Sequence, residues 1–459
     1  MKRLSVLILC SVCSGSITAQ CYTLEQLKDS ALQHNIAVRK ARHGIDAAQQ
    51  QRKEAFTKFF PNVSGTAVTF NANRGMAKMD MNIAESMPPS LGATLSLMLP
   101  QEALMELTGP MSISMMKNGT IASLTAMQPV FAGGQIINGN KLAKVGEEAS
   151  RLQLQLSENE VEKTTEQYYW QLVSLQEKVT TLDAVDSLLA GIHKDVDVAV
   201  RAGVAMRNDL LQVQLRQNDV KSQRLKLQNG IFIVKQLLGQ YANLTPTISS
   251  TGETQYLFEV QMPAICDNAP LPVKVGETEA VLRLPEYQLL EKQVEAATLQ
   301  KKMEVGKNLP SVAVGAGYNY HDLLDNDRTF AMVFATVSIP ISDWWGGSHA
   351  VKRKKIEQQR AVEELTDNSK LLKIRMQKAW HDVEEAREQL SLAVQSIEQA
   401  AENLRLNQNY YRAGTSRMSD LLEAQLLYQQ ACDKRTDAYC NYQNMLLEYR
   451  LATGRMLLE

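Results

Sequence analysis

Few residues in this sequence are spaced for chemistry, and those few suggest ions rather than catalysis. His321-Asp322, with Asp325 and Asp327, makes a loose loop that could hold a hard cation. It falls where a hairpin turn is expected, so a solvated turn is the plainer reading. Ten of the nineteen methionines lie between Met76 and Met127. Thioethers bind Cu(I) or Ag(I), but adaptable apolar packing in a surface loop explains them more simply. His193 and Asp186 occupy seam-like positions of a long helical pattern and read as satisfied polar seam residues. Asp209 and Asp420 each follow an Arg-Ala-Gly, in the expected first turn of a helix, where an acid favours the helix dipole. No nucleophile elbow, phosphate loop or HExxH is present, so no catalytic residue, metal ligand or cofactor is assigned. A net charge of -1 gives no reason to expect nucleic acid as a partner.

The start of the chain sets the compartment. Lys2 and Arg3, the apolar run Leu4 to Val12, and Ile17-Thr18-Ala19 have the layout of a secretory signal peptide over residues 1–19. Cys21 then stands behind Gln20, which is too large for the usual lipid-attachment pattern. Beyond the leader lie Cys21, Cys266, Cys432 and Cys440. The last two are about 12 Å apart along a helix axis and cannot bridge within it. No later run of 18 apolar residues appears. An exported chain that enters a membrane must then do so through a β-barrel.

The elements are written twice. Arg201 to Leu215 (RAGVAMRNDLLQVQL) and Arg412 to Leu426 (RAGTSRMSDLLEAQL) share eight of fifteen positions at a constant offset of 211. Phe60-Pro61-Asn62-Val63 is answered by Leu309-Pro310-Ser311-Val312. Pro129, Gly133 and Gly134 are answered by Pro340, Gly346 and Gly347 as junctions between a strand and a long helix. The first repeat spans residues 20–239, with an insertion at 75–115, and the second spans 279–459. Residues 240–278, poor in periodicity, read as a linker. About 65 residues without proline separate each Gly-Gly from its Arg-Ala-Gly, which as helix is roughly 100 Å. Ala379, Val383, Ala386, Leu390, Ala393, Ile397, Ala400 and Leu404 step by four and three, the seam of a coiled coil. Leu172, Leu175, Val179, Leu182, Leu189 and Val196 carry a similar rhythm. Each repeat therefore predicts a long antiparallel hairpin that turns at its glycine.

Ser311 to Tyr320 alternates Val312, Val314, Ala316, Tyr318 and Tyr320 against small or polar residues, as a tilted membrane strand would. Thr329 to Ile339, Val63 to Asn73 and Ile121 to Val130 are comparable. Trp344, Trp345, Tyr318 and Tyr320 read as membrane-interface aromatics. Four strands cannot close a barrel. Two copies would give eight strands and three would give twelve, and a conducting lumen favours three.

Taken together, these features resemble the TolC-type outer membrane factor family. The resemblance also rests on the opening Tyr22-Thr23-Leu24-Glu25-Gln26-Leu27 with Ala31-Leu32 and Asn35, and on the closing Leu451-Ala452-Thr453-Gly454. It implies a mostly α fold with a membrane β-barrel: coiled-coil hairpins forming an α-barrel, and four strands per protomer in a homotrimeric, twelve-stranded outer-membrane barrel. It further implies a non-enzymatic exit duct for efflux or type I secretion. Its partners would be a periplasmic adaptor, an inner-membrane transporter and outer-membrane lipid. The turns Arg201-Ala202-Gly203 and Arg412-Ala413-Gly414-Thr415 match the tips where adaptors dock. Asp420 and Glu423 match acids that ring the closed entrance of cation-sensitive members, and Asp209 is the acid of the first repeat. The rival reading is a periplasmic adaptor or coiled-coil scaffold without a barrel. The cargo is not written in these residues.

Overall fold

The computed structural model describes residues 20–74, 77–82, 110–115, 118–248, 254–323, 326–341 and 343–454, with isolated positions between 83 and 109. The leader, Asp325 and most of the Met-rich insertion lie outside these residues. Two compact units emerge, and each draws on both repeats.

The helical unit comprises the described residues up to Ala48, Gly146–Val294 and Arg360 onward. It opens with β1 (Gln20–Tyr22), α1 (Leu24–His34) and α2 (Ile36–Thr57). Thr23 and Gln26 cap α1 reciprocally. The Gln26 N–H donates to Thr23 Oγ1 (3.2 Å), and the Thr23 N–H donates to Gln26 Oε1 (3.0 Å). That pairing explains the opening motif: the cap sets the helix so that Leu27 and Ala31 are fully buried. Asn35 ends α1 by donating to the Tyr241 carbonyl (3.0 Å) and accepting from the Ala37 N–H (2.8 Å). The long hairpins are α3 (Gln135–Arg201) with α4 (Arg207–Tyr241), and α7 (Asp343–Arg412) with α8 (Met418–Ala452). Their seams are buried as the heptads require, with Leu172, Leu189, Val383 and Leu390 at most 1% exposed. Between α1 and α3, the Lys28 ammonium lies 2.7 Å from the Glu166 carboxylate, both buried. Trp170 Nε1 also donates to Glu166 (3.2 Å).

Within 240–278, the described residues 240–248 and 254–278 carry short strands and packed contacts. Short strands β6 (Thr247–Ile248), β7 (Thr254–Gln255) and β8 (Phe258–Val260) form there, and β8 pairs in parallel with β1. Tyr449 accepts from the Val275 N–H (2.9 Å), Tyr442 donates to the Pro270 carbonyl, and Arg435 pairs with Asp267. A helix, α5 (Glu277–Arg283), follows. Local periodicity missed this segment because its order comes from partners on α8.

The sheet unit holds Gln49–Val145 and Glu295–Gln359, including the end of α6 (Pro285–Lys307). Strands β2 (Asn62–Asn71), β5 (Asn118–Ala132), β9 (Ser311–Leu323) and β10 (Asn326–Ser338) form one antiparallel sheet in the order β10-β9-β5-β2. A separate hairpin of β3 (Ala77–Asn82) and β4 (Pro110–Met115) occupies the insertion. The pairing β5–β9 joins the two repeats. The outer edges of β2 and β10 have no strand partner among the described residues.

The register sorts the sheet into two faces. On one lie Val63, Ala67, Leu124, Ala126, Val314, Ala316, Tyr318, Val333, Ala335 and Val337, an apolar band across the middle of the sheet, while towards the hairpin ends the same face carries Thr69, Asn71, Asn118, Thr120, Asp322, Asp327 and Thr329, and Gln128 at the other end. Leu124, Tyr318 and Val333 are 55%, 56% and 86% exposed. The opposite face carries Ser64, Thr66, Ser123, Thr125, Asn319 and Thr336 among Phe330, Met332 and Phe334. His321 and Asp322 belong to β9, opposite Arg328 and Asp327 of β10. No helix among the described residues is long and apolar enough to cross a membrane.

Candidate functional site

Both hairpins of the helical unit turn in the same way, and the chemistry of the repeat motif explains it. At the end of α3 the Gly203 N–H reaches the Val200 carbonyl (3.0 Å) and the Val204 N–H reaches that of Ala199 (2.9 Å). At the end of α7 the Gly414 N–H reaches Tyr411 (3.0 Å) and the Thr415 N–H reaches Tyr410 (2.9 Å). These are paired Schellman closures, and they need a residue at positive φ, found at 72° for Gly203 and 73° for Gly414. Arg201, Ala202 and Gly203, like Arg412, Ala413, Gly414 and Thr415, are exposed.

Each returning helix is then started by the repeated acid. Asp209 accepts from the Met206 N–H (3.3 Å), and Asp420 accepts from the Arg417 N–H (3.2 Å). Asp420 is further bound by the hydroxyls of Ser416 and Ser419, both at 3.1 Å. The Arg417 N–H first, then these hydroxyls, hold its carboxyl below the usual carboxylate range. Asp420 is thus charged and fixed in place. Leu421 beyond it is buried, and Glu423 projects from the next turn, exposed.

Between the two tips opens a cleft of about 1070 Å³, lined by Ile192, Val196, Asp209, Tyr411, Arg417 and Met418 among others. Burial pushes the Tyr411 hydroxyl up, and the nearby Asp209 charge adds to this. Asp209 therefore belongs to the cleft, whereas Asp420 and Glu423 do not line it. His193 is half-buried beside Gln214, at 3.4 Å, and Asp186 is half-buried on the same helix.

A polar bridge ties the hairpins together. Arg216 on α4 donates to Gln425 (3.0 Å) and Gln429 (2.7 Å) on α8, and Gln429 donates to Gln223 (2.8 Å). Gln425 is fully buried, and burial lowers the Arg216 guanidinium from its ordinary value. Gln425 was visible as a repeated residue, but no periodicity marks Arg216 as its partner.

The strand–helix junctions of the sheet unit differ from one another. Pro129 lies within β5 at a register shift, and Gly133 and Gly134 follow at φ 58° and 74°. Gly133 meets Gly306 of α6 so closely that a Cβ on either would fall 2.0–2.3 Å from the other's carbonyl oxygen. Pro340 follows β10, and Gly346 and Gly347 sit in the first turns of α7, where a Cβ on Gly347 would strike Asn308. Trp344 Nε1 donates to the Asn308 carbonyl (3.0 Å), and Trp345 is 83% exposed. Among the described residues no cluster of three or more His, Cys, Asp or Glu could hold a metal.

This architecture is shared with channels of known structure. The outer-membrane channel OprN superposes with a TM-score of 0.74 at 17% identity, covering 94% of this chain and 89% of its own. The Campylobacter jejuni CmeC outer membrane channel gives 0.70 at 15%, covering 95% and 86%. The open state of the Neisseria gonorrhoeae MtrE outer membrane channel gives 0.70 at 16%, covering 95% and 89%. No curated protein matches the chain. The fold of long helical hairpins joined to a four-stranded sheet is therefore that of outer-membrane channels. More narrowly, residues 278–455, the second repeat, match the family model described as outer membrane efflux protein. The resemblance read from the sequence holds.

Proposed function

We propose that this chain is the outer-membrane exit duct of an efflux or export machine, working as a homotrimer. Three copies would close a twelve-stranded barrel, and their hairpins would form the α-barrel in the periplasm. The observation that carries this reading is the sheet: one face with an apolar band across its middle and polar residues towards its ends, the other mixed throughout, and two edges without strand partners among the described residues. Bare edges cannot face lipid, so the sheet must be completed by further copies.

The duct is passive; energy comes from an inner-membrane transporter through a periplasmic adaptor. The exposed turns at Arg201–Gly203 and Arg412–Thr415 suit adaptor contact, and the cleft between them is a groove for it. Asp420 and Glu423, repeated threefold around an entrance, would concentrate cations there. Opening requires the hairpins to part, which strains the Arg216–Gln425–Gln429 bridge. The match to outer membrane efflux proteins supports this reading over a barrel-less adaptor. Purified protein should run as a trimer in detergent and give discrete channels in planar bilayers; a monomer without conductance would refute the proposal.

A further inference from the structure

The chain as a whole balances 49 basic residues against 50 acidic ones, but the helix ends nearest the sheet do not. Over residues 49–58, 135–145, 295–307 and 343–359, all in the sheet unit, twelve Lys and Arg stand against five Asp and Glu. Two of those acids are already engaged within their own helix: Glu304 by Lys307 (2.8 Å), and Glu357 by Lys354 (2.6 Å) and more loosely by Arg353 (3.8 Å). Lys352 and Lys355 are exposed and have no acidic partner among the described residues.

This excess lies on the helix segments that directly precede or follow the four sheet strands in the chain. Just beyond β10, Ile339 and Ile341 flank a tight turn and are 49% and 66% exposed. Trp345 follows, and on α7 the residues Trp345, His349, Lys352 and Ile356 fall on one helical stripe. A second such edge is on α2, where Lys53 precedes the exposed cluster of Phe56, Phe59 and Phe60. Lys352 is about 10 Å along the axis beyond Trp345. A lipid headgroup layer is roughly 5–7 Å thick on each side of the hydrocarbon core. With a tryptophan at the hydrocarbon boundary, the long Lys352 side chain leans back toward the helix N-terminus and brings its ammonium to the outer edge of the headgroup layer, and Lys355, about 15 Å beyond Trp345, stays within a Debye length of it.

We propose that this basic collar, led by Lys352 and Lys355, binds the anionic phospholipid headgroups of the leaflet from which the helices emerge. The inference rests on the membrane-barrel reading above. The apolar band fixes the depth, and the excess positive charge selects phosphatidylglycerol-type headgroups over zwitterionic ones. Each basic residue near an anionic surface contributes about fivefold in association, so reversing two should cost at least about 25-fold per copy.

The test uses the full-length assembly in vesicles of phosphatidylcholine alone or mixed with phosphatidylglycerol. Association of spin-labelled phosphatidylglycerol and phosphatidylcholine is compared by electron paramagnetic resonance. The native protein should prefer the phosphatidylglycerol label, and molar salt should remove the preference. The variant K352E/K355E should lose it, while K221E/K226E on α4, with the same charge change, should keep it. Equal association of both labels with the native protein would overturn the proposal, even if the variant failed to fold. So would an unchanged preference in K352E/K355E, or a change confined to ion selectivity, which would put these lysines in the lumen. Channels that conduct but ignore headgroup charge sink this inference alone; a non-conducting monomer sinks the barrel reading beneath it.

Discussion

Gly306→Ala and Gly44→Ala make the same chemical change in two helices and should move stability in opposite directions. At Gly306 of α6 a Cβ would lie 2.3 Å from the Gly133 carbonyl oxygen and 3.1 Å from its carbon. Both neighbours are backbone, so no rotamer change relieves the clash. To raise that 2.3 Å even to 3.0 Å, α6 and the β5–α3 junction must part by 0.7 Å. Such overpacking costs about 1–3 kcal/mol, offset by about 1 kcal/mol because alanine favours helix over glycine. The net result is destabilisation of up to about 2 kcal/mol. A Cβ on Gly44 of α2 meets nothing within 4 Å, so only the gain of about 1 kcal/mol remains. Gly133→Ala should be worst, because φ there is 58° and the left-handed region costs a further ~1–2 kcal/mol. Thermal melting by circular dichroism ranks the four proteins. A multi-unit assembly does not give one clean unfolding free energy, so the order of midpoints is the readout. The expected order is Gly44→Ala, native, Gly306→Ala, Gly133→Ala. If Gly306→Ala melted with Gly44→Ala, the close approach at the junction would be wrong.

Three further outcomes follow from the geometry. Glu166→Gln should destabilise by about 3 kcal/mol, because it leaves the buried Lys28 without its nearest partner; the double change Lys28→Met with Glu166→Gln, which keeps an acceptor for Trp170 Nε1, should recover most of that loss, and equal losses in both would contradict the pair. Burial pushes Tyr169 up to about 12, and raises Tyr241, Tyr439, Tyr442 and Tyr449. Their unfolded value is about 10, so this stability is complete below that pH and is lost as pH rises through the folded values. The tyrosinate absorbance of these five should therefore appear together with unfolding, and their ionisation in a still-folded protein would contradict the burial. Replacing Asp420 and Glu423 together by Ala should weaken cation selectivity and block by multivalent cations in planar bilayers. Unchanged selectivity would remove both from the entrance.

The sequence made visible whatever depends on neighbours in the chain. The heptad seam from Ala379 to Leu404, the Gly203 and Gly414 turns and the four sheet strands all have a short period or a fixed local geometry. Predicted strand bounds such as Ser311 to Tyr320 fell within three residues of the observed Ser311–Leu323. Features held by distant residues were not legible. Residues 240–278 look irregular because Phe258 and Val260 are ordered by β1 and by the helices around them. The Gly133–Gly306 contact joins two repeats, and the duplicated Gly-Gly pairs concealed it by suggesting one common mechanism. At the tips the dipole reading of Asp209 and Asp420 proved to be their geometry. It does not compete with a role at the entrance, since a capped carboxylate is also a fixed charge.

The most direct measurement is amide hydrogen exchange, resolved by residue, on β2, β5, β9 and β10 of the purified assembly. Among the described residues of one chain β5 and β9 have partners on both sides, whereas β2 and β10 have one each. If neighbouring copies complete the sheet, the outward amides of Asn62–Asn71 and Asn326–Ser338 will be protected as strongly as those of β9. If every second amide on those two strands exchanges freely while β5 and β9 stay protected, the edges are bare and the barrel does not exist.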